Sequence, residues 1–302
     1  MMRNRFRRSR RLLASLIVGA ATCVAVLAQG QAGSAPADPL TVMTFNVRYA
    51  TANDGDNRWA NRKAMLFDVI RDANADLIGL QEALDAQLGE IVAASPAYAV
   101  VGVGRDDGKT RGEYAAILYR RDRFHVSDAG TFWFSDTPAV PASKSWGNNI
   151  TRICSWARFV DRGGRAFWHY NLHLDHESQP SRERSTVLLA ERIAARRQLD
   201  EPVVVTGDFN VGEDNPAIAT LLAPRAGGLG PLLIDTFRAR YPTEKTVGTF
   251  NGFVSTAIDG PKIDYILVLP GTEVLDAAIV RTSREGRFPS DHFPVTARFR
   301  LR

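Results

Sequence analysis

The sequence predicts one α/β domain built on two β-sheets. Three observations lead there. Strand-like and helix-like stretches alternate through the first half, strands dominate the second half, and no linker-like change of composition follows residue 38. The first strand covers residues 40–50, LTVMTFNVRYA. A helix at 59–74 follows, with Trp59, Lys63, Leu66, Phe67 and Ile70 at helical spacing. DLIGLQEA (76–83) reads as a short apolar strand ending in a polar pair, and Leu84, Leu88, Ile91 and Val92 mark the next helix. Strands are expected at 98–104 and 113–121, then a hairpin over 155–175 that turns at Gly163–Gly164. The longest helix spans 181–198 and leads into the strand VVVTGDFN (203–210). A short helix at 215–223 takes Pro216 in its first turn. The remaining strands are placed at 247–253, 262–269, 274–281 and 293–301.

The first 37 residues read as an export signal. MMRNRFRRSRR is strongly basic, residues 12–28 are apolar, and QGQAGSAPAD is small and polar. Cleavage after Ala28 or after Ala37 fits a small-x-small rule. SRRLLA carries a partial twin-arginine motif. Seventeen apolar residues are marginal for spanning a bilayer, so no stable anchor is expected after cleavage. The domain is then residues 38–302, exported to the periplasm or the medium, and expected to be a monomer.

The leader also accounts for the basic character. The chain of 302 residues has a net charge of +5, but six arginines and no acid fall in the leader. From Asp38 onward 32 basic residues face 33 acidic ones. A near-neutral domain lacks the overall attraction expected of a non-specific nucleic-acid binder. Cys154 stands alone outside the leader, so no intramolecular disulfide forms in the mature chain, and a small buried hydrophobe is expected there.

Several predicted strands end in residues that a packed core does not select. They are Asn46, Glu82, His173, Asp208 with Asn210, Asp264, and the pair Asp291–His292. Each alone has a local account, such as an Asx turn, a helix cap or a satisfied core histidine. Strand ends gather at one rim of a sheet, however, and jointly these groups point to one cleft. Two carboxylates 4 Å apart repel by about 4 kcal/mol at an effective dielectric of about 20. Protonation or a bound cation must offset that. Oxygen donors without thiolates favour Mg²⁺, with Mn²⁺ or Ca²⁺ as alternatives, over structural zinc.

TFNVR, GLQE, NLHLD, TGDFN, KIDYI and SDHFPV resemble, in order and approximate spacing, the motifs of the endonuclease/exonuclease/phosphatase superfamily. The likeness runs from about residue 40 to 302. It implies a four-layer α/β sandwich of two face-to-face mixed sheets flanked by helices, with the site at the strand-end rim. It makes Glu82 the principal metal ligand, helped by Asn46 and Asp291. It gives Asp208 the attacking water and Asn210 a hydrogen bond to the phosphate. His292 would contact phosphoryl oxygens while Asp264 holds its other N–H. His173 would bind phosphate or assist the leaving group, and either Asp208 or His292 would be the base. Arg48 departs from the acidic residue that several nucleases carry there, and is read as a contact to substrate phosphate.

The function expected from this likeness is an exported, metal-dependent phosphoesterase using direct in-line attack by water, with a small phosphoester favoured as substrate. Alternatives are a nuclease acting on DNA or RNA, a phospholipid head-group phosphodiesterase, and a binding module without catalysis. Trp59, Trp133 and Trp146 could stack on a base or sugar, but core packing is the commoner use of such residues.

Overall fold

A computed structural model describes residues 38–254 and 259–301; the expected leader, 1–37, lies outside them. The chain runs β1 (Leu40–Asn46), α1 (Trp59–Ala73), β2 (Leu77–Ala83), α2 (Asp85–Ala94), β3 (Tyr98–Val101), β4 (Tyr114–Arg120) and β5 (Phe124–Trp133). Next come β6 (Ile153–Asp161), β7 (Ala166–His173), α3 (Gln179–Ala194), β8 (Val203–Asp208) and α4 (Pro216–Leu222). The last elements are β9 (Ile234–Asp235), α5 (Thr236–Arg240), β10 (Asp264–Val268), β11 (Glu273–Ile279) and β12 (Val295–Arg300).

The strands form two mixed six-stranded sheets, β11-β12-β1-β2-β4-β3 and β5-β6-β7-β8-β10-β9. Only β1/β2 and β7/β8 pair in parallel, and those pairs need helical crossovers, which α1 and α3 supply. Leu66 and Ile70 of α1 and Leu88 and Ile91 of α2 pack on Met43, Phe45, Ile78 and Leu80 of the first sheet. Leu189 and Ile193 of α3 and Ile218 and Leu221 of α4 cover Tyr170, Leu172, Val203 and Val205 of the second. Between the sheets lie Val42, Leu77, Ile117, Phe159, Val204, Ile266 and Phe299. Four layers result, helices outside and sheets inside. Both faces of the central strands are therefore apolar, which is why they read as continuous runs rather than alternations.

Local chemistry sets the ends of the helices. The Ser178 hydroxyl accepts the Ser181 N–H at the start of α3, and the Asn215 side chain accepts the Ala217 N–H at the start of α4. Asn74, at φ 42°, ends α1 in the left-handed region. Several expectations need correction. Residues 247–253 form a loop with a single bridge, Phe250 to His292, instead of a strand, and 181–198 is helical only to Ala194. An unanticipated strand, β5, forms the edge of the second sheet; its bulge between Val126 and Asp128 breaks the alternation that would mark it. Cys154 is buried and unpaired, as expected, and Trp59 and Trp133 are core residues.

A polar seam joins the two sheets beneath the rim. Asn171 of β7 donates from Nδ2 to the carbonyls of Leu80 and Ala116, at 2.8 Å each, across the interface. Its Oδ1 accepts from Gln81 Nε2 (2.7 Å) and from the Thr206 hydroxyl (2.9 Å). Gly79 makes room for this seam, since a Cβ there would come within 2.4 Å of Asn171 Oδ1. His169 donates from Nε2 to Thr206 (2.8 Å), and burial depresses its pKa to about 3.

Replacing Asn171→Leu strips four buried groups of a partner, and urea unfolding should show a loss of about 3 kcal/mol or more. His169 should give stability a pH dependence. The unfolded chain protonates this imidazole at about 6.5 and the folded one only at about 3. Stability should therefore fall as pH drops through that window, by up to about 1.4 kcal/mol per pH unit. Urea midpoints measured between pH 7 and pH 4 should lose that slope in His169→Phe.

Candidate active site

The polar strand ends do converge. Asn46, Glu82, His173 and Asp208 lie at or next to the carboxyl ends of β1, β2, β7 and β8, the four strands of the two parallel pairs. In the second sheet His173 and Asp264 flank Asp208 in register on either side. Asp291 and His292 arrive on the turn before β12, where Phe250 bridges to His292.

Backbone strain places three of these side chains. Arg48 (φ 51°), Glu82 (φ 66°) and Asn210 (φ 54°) all occupy the left-handed region, at a cost of about 1 kcal/mol or more each. Glu82 is the extra residue of a bulge between Gln81 and Ala83. Gln81 points between the sheets toward Asn171, so a regular strand would send Glu82 into the helical layer. The bulge turns it to the rim. Asn210 lies beyond the end of β8, although the strand was expected to run to 210, and so does not share a strand face with Asp208. It folds back, and its N–H donates to Asp208 Oδ1 at 2.8 Å.

Asn46 sits between carboxylates of opposite sheets. Its Nδ2 donates to Glu82 Oε1 (3.0 Å) and to Asp208 Oδ2 (2.9 Å), while its Oδ1 accepts the Arg48 N–H. Glu82 Oε2 accepts the Tyr49 N–H at 3.1 Å. Burial and Asp264 lift the Asp208 carboxyl to about 7, against the pull of His292, Asn46 and the Asn210 N–H. His292 Nδ1 lies 2.9 Å from Asp264 Oδ2 and its Nε2 lies 3.8 Å from Asp208 Oδ2. Burial opposes its charge, but Asp264, Asp208 and Asp291 together raise it well above the usual imidazole range.

His173 is the opposite case. Burial, Arg152 and Arg105 press its pKa well below the usual value. Its Nε2 meets Arg152 Nη1 at 3.2 Å and Asn210 Nδ2 at 3.0 Å. Arginine can only donate, and Asn210 Nδ2 also serves the Leu174 carbonyl, which fixes the amide's orientation. Nε2 therefore accepts both, and the neutral ring carries its proton on Nδ1. Arg48 makes a two-pronged pair with Asp54 (3.1 and 2.9 Å) and lies 3.6 Å from Asp291. Burial raises the Asp291 carboxyl, and the Ser290 hydroxyl lies 3.2 Å from it.

The sequence reading did not single out four residues that complete the site. Arg62, buried in α1, donates to the carbonyls of Val47, Arg48, Asn57 and Pro289. It thereby ties the loop after β1 to the turn carrying Asp291, and burial lowers its pKa to about 10. Arg105 and Glu113 form a two-pronged pair at 2.6 and 2.8 Å. Arg152 pairs with Asp175 at 3.3 Å. Nothing in the periodicity marks arginines that are buried by pairing. Arg105, Glu113 and Arg152 line a cavity of about 610 Å³ with Arg48, Glu82, His173, Asp208, Asn210, Asp291 and His292.

The sequence profile of the Endonuclease/Exonuclease/phosphatase family matches residues 43–292. The chain belongs to this family. A solved structure of a member from Bacteroides thetaiotaomicron is 33% identical, covers 87% of this chain and 98% of its own, and superposes with a TM-score of 0.77. A mannosyl-6-phosphatase from the same organism is 34% identical over 86% of this chain and 99% of its own, with a TM-score of 0.75. An uncharacterised protein of Acanthamoeba polyphaga mimivirus is 29% identical over 164 residues, which span 52% of this chain but only 60% of that relative.

Members of the family are hydrolases of phosphoester bonds and typically depend on a divalent metal. The residues here fit such an ion. Glu82, His173 and Asp208 each bring one ligand atom within 4.8 Å of the others, as do Asp208, Asp264 and His292. The buried Asp264 Oδ1 has no hydrogen-bond partner. Oxygen donors dominate, which suits a hard dication. In this arrangement Asn46 offers its nitrogen to the carboxylates and so spaces them.

Arg62→Met should expose the dependence of the site on its scaffold. Four carbonyls lose a charged donor, so calorimetry should show a lower melting temperature and a stability loss of about 3 kcal/mol or more.

Proposed function

We propose that this chain is an exported, divalent-metal-dependent hydrolase of a small phosphomonoester, with attack by water directly on phosphorus. The observation that carries the reading is the Asn46–Glu82–Asp208–Asp264–His292 cluster, which brings carboxylates of both sheets against one imidazole at a single rim. Support for a small ester comes from the 610 Å³ cavity and from the 34% identity to a mannosyl-6-phosphatase. The near-neutral domain from Asp38 onward does not favour a long nucleic acid. The basic and apolar leader supports export through the inner membrane.

Glu82, with Asp291 nearby and Asn46 spacing the acids, would hold the ion. A bound dication supplies charge neutralisation on the phosphoryl oxygens as the leaving oxygen departs. The remaining roles belong to side chains. Asp208, gripped by the Asn46 amide and the Asn210 N–H, orients the attacking water and takes its proton. His292 donates from Nε2 to a phosphoryl oxygen, and Asp264 keeps the proton on Nδ1. Arg48 lines the same cavity beside Asp291 and would contact a phosphate oxygen. Among the described residues lining the cavity there is no serine, threonine or cysteine, so water is the natural nucleophile.

Purified protein with Mg²⁺ or Mn²⁺ should release phosphate from hexose 6-phosphates, and EDTA should abolish release. Asp208→Asn and His292→Ala should each lower kcat by about 10²- to 10⁴-fold. Full activity in both variants would refute the assignment.

A further inference from the structure

The motifs GRDDG and RGEYAA build the wall of the cavity beyond His173, and the hydrolytic cluster makes no use of them. Arg105 and Glu113 stand side by side on a pinned loop. The Arg105 N–H donates to the Glu113 carbonyl (3.1 Å), and the Asp106 N–H donates to the Arg111 carbonyl (3.0 Å). Trp133 Nε1 donates to the Arg105 carbonyl (2.7 Å), and Thr151 holds Asp106 (2.9 Å). Gly104 and Gly112 permit the close approach, since a Cβ at either would come within 2.5 Å of Arg111 or Asp106. The pair is rigid before any ligand arrives.

It is also next to the chemistry. Glu113 Oε2 lies 3.9 Å from His173 Nδ1, and His173 Nε2 lies 3.5 Å from Asp208 Oδ2. One imidazole ring separates this wall from the carboxyl that serves the water. Charge then selects among ligands. Beyond Arg48, which is assigned to the reacting phosphate, the cavity arginines are already matched, Arg105 by Glu113 and Arg152 by Asp175. No guanidinium there is free for a second phosphate. Arg105 Nε is buried and has no acceptor, and each Glu113 oxygen, bonded once by Arg105, keeps a lone pair. A fixed donor beside a fixed acceptor matches the two-sided hydrogen bonding of vicinal hydroxyls.

We propose that Arg105 and Glu113 form the leaving-group subsite and bind adjacent hydroxyls of a sugar or polyol, so that the substrate is a sugar or polyol phosphomonoester. This rests on the phosphoesterase reading. A hydroxyl bonded to a buried charged pair, once lost, costs about ten- to a hundredfold in binding.

The test compares a hexose 6-phosphate with p-nitrophenyl phosphate, which has no hydroxyls to read. In Glu113→Gln the ratio of kcat/KM for the hexose ester to that for the nitrophenyl ester should fall about tenfold or more, through KM. Arg105→Lys, which cannot reproduce the planar two-pronged pair, should lower the same ratio. Calorimetry of hexose 6-phosphate binding to Asp208→Asn, with and without Glu113→Gln, should show the same weakening without turnover. A ratio and a binding constant that both stay within about twofold overturn the subsite while hydrolysis stands. Glu113-dependent binding by a wild-type protein that hydrolyses neither ester overturns the hydrolase and keeps the subsite.

Discussion

Asn46 holds the site together by donating one amide group to two acids from opposite sheets. Glu82 belongs to the first sheet and Asp208 to the second, at 3.0 and 2.9 Å from the same nitrogen. Two carboxylates this close repel, and a single neutral amide offsets only part of that. The rest is absorbed by protonation of Asp208, whose carboxyl burial and Asp264 lift to about 7, by the neighbouring His292 imidazole, or by a dication. The rim is thus poised to gain stability when a positive charge with oxygen affinity enters. That is the physical reason a fold would tolerate the arrangement.

The scaffold carries the cost of holding it. The Asn171 seam ties the two sheets together beneath the rim, where Asn46 reaches Asp208 across the interface. Arg62 spans the loop after β1 and the Ser290–Asp291 turn, and Ser290 closes the circuit by donating to the Asn46 carbonyl at 2.7 Å. Left-handed backbone at Arg48, Glu82 and Asn210 is unfavourable locally and is retained because these contacts over-determine it. Function and strain coincide at the same residues.

Much of this was legible in the sequence. Runs such as VVVTGD and DYILV announce strands buried on both faces, and Pro216 in a first turn marks where α4 begins. The polar residues at strand ends also announced a shared rim, because a core does not select them. What was hidden depends on departures from periodicity. Nothing in GLQEA says that Glu82 sits in a bulge, and the strand expected to reach 210 stops at Asp208 because a turn relates Asp208 and Asn210. Arg62, Arg105 and Arg152 carry no signal in the sequence, since only the fold reveals the carbonyls and carboxylates that bury them. β5 escaped because an edge strand with a bulge has no clean alternation.

The central claim is that the acids at this rim gain a dication as their partner, and it can be read without any substrate. Melting temperature should be followed as Mn²⁺ is titrated into the wild-type protein and into Glu82→Gln. A ligand at about a hundred times its dissociation constant stabilises the native state by about 2.7 kcal/mol, a rise of several degrees. The wild-type protein should show that rise, and Glu82→Gln should show little of it at the same concentration. A wild-type melting temperature indifferent to Mn²⁺ and to Mg²⁺ would contradict the account.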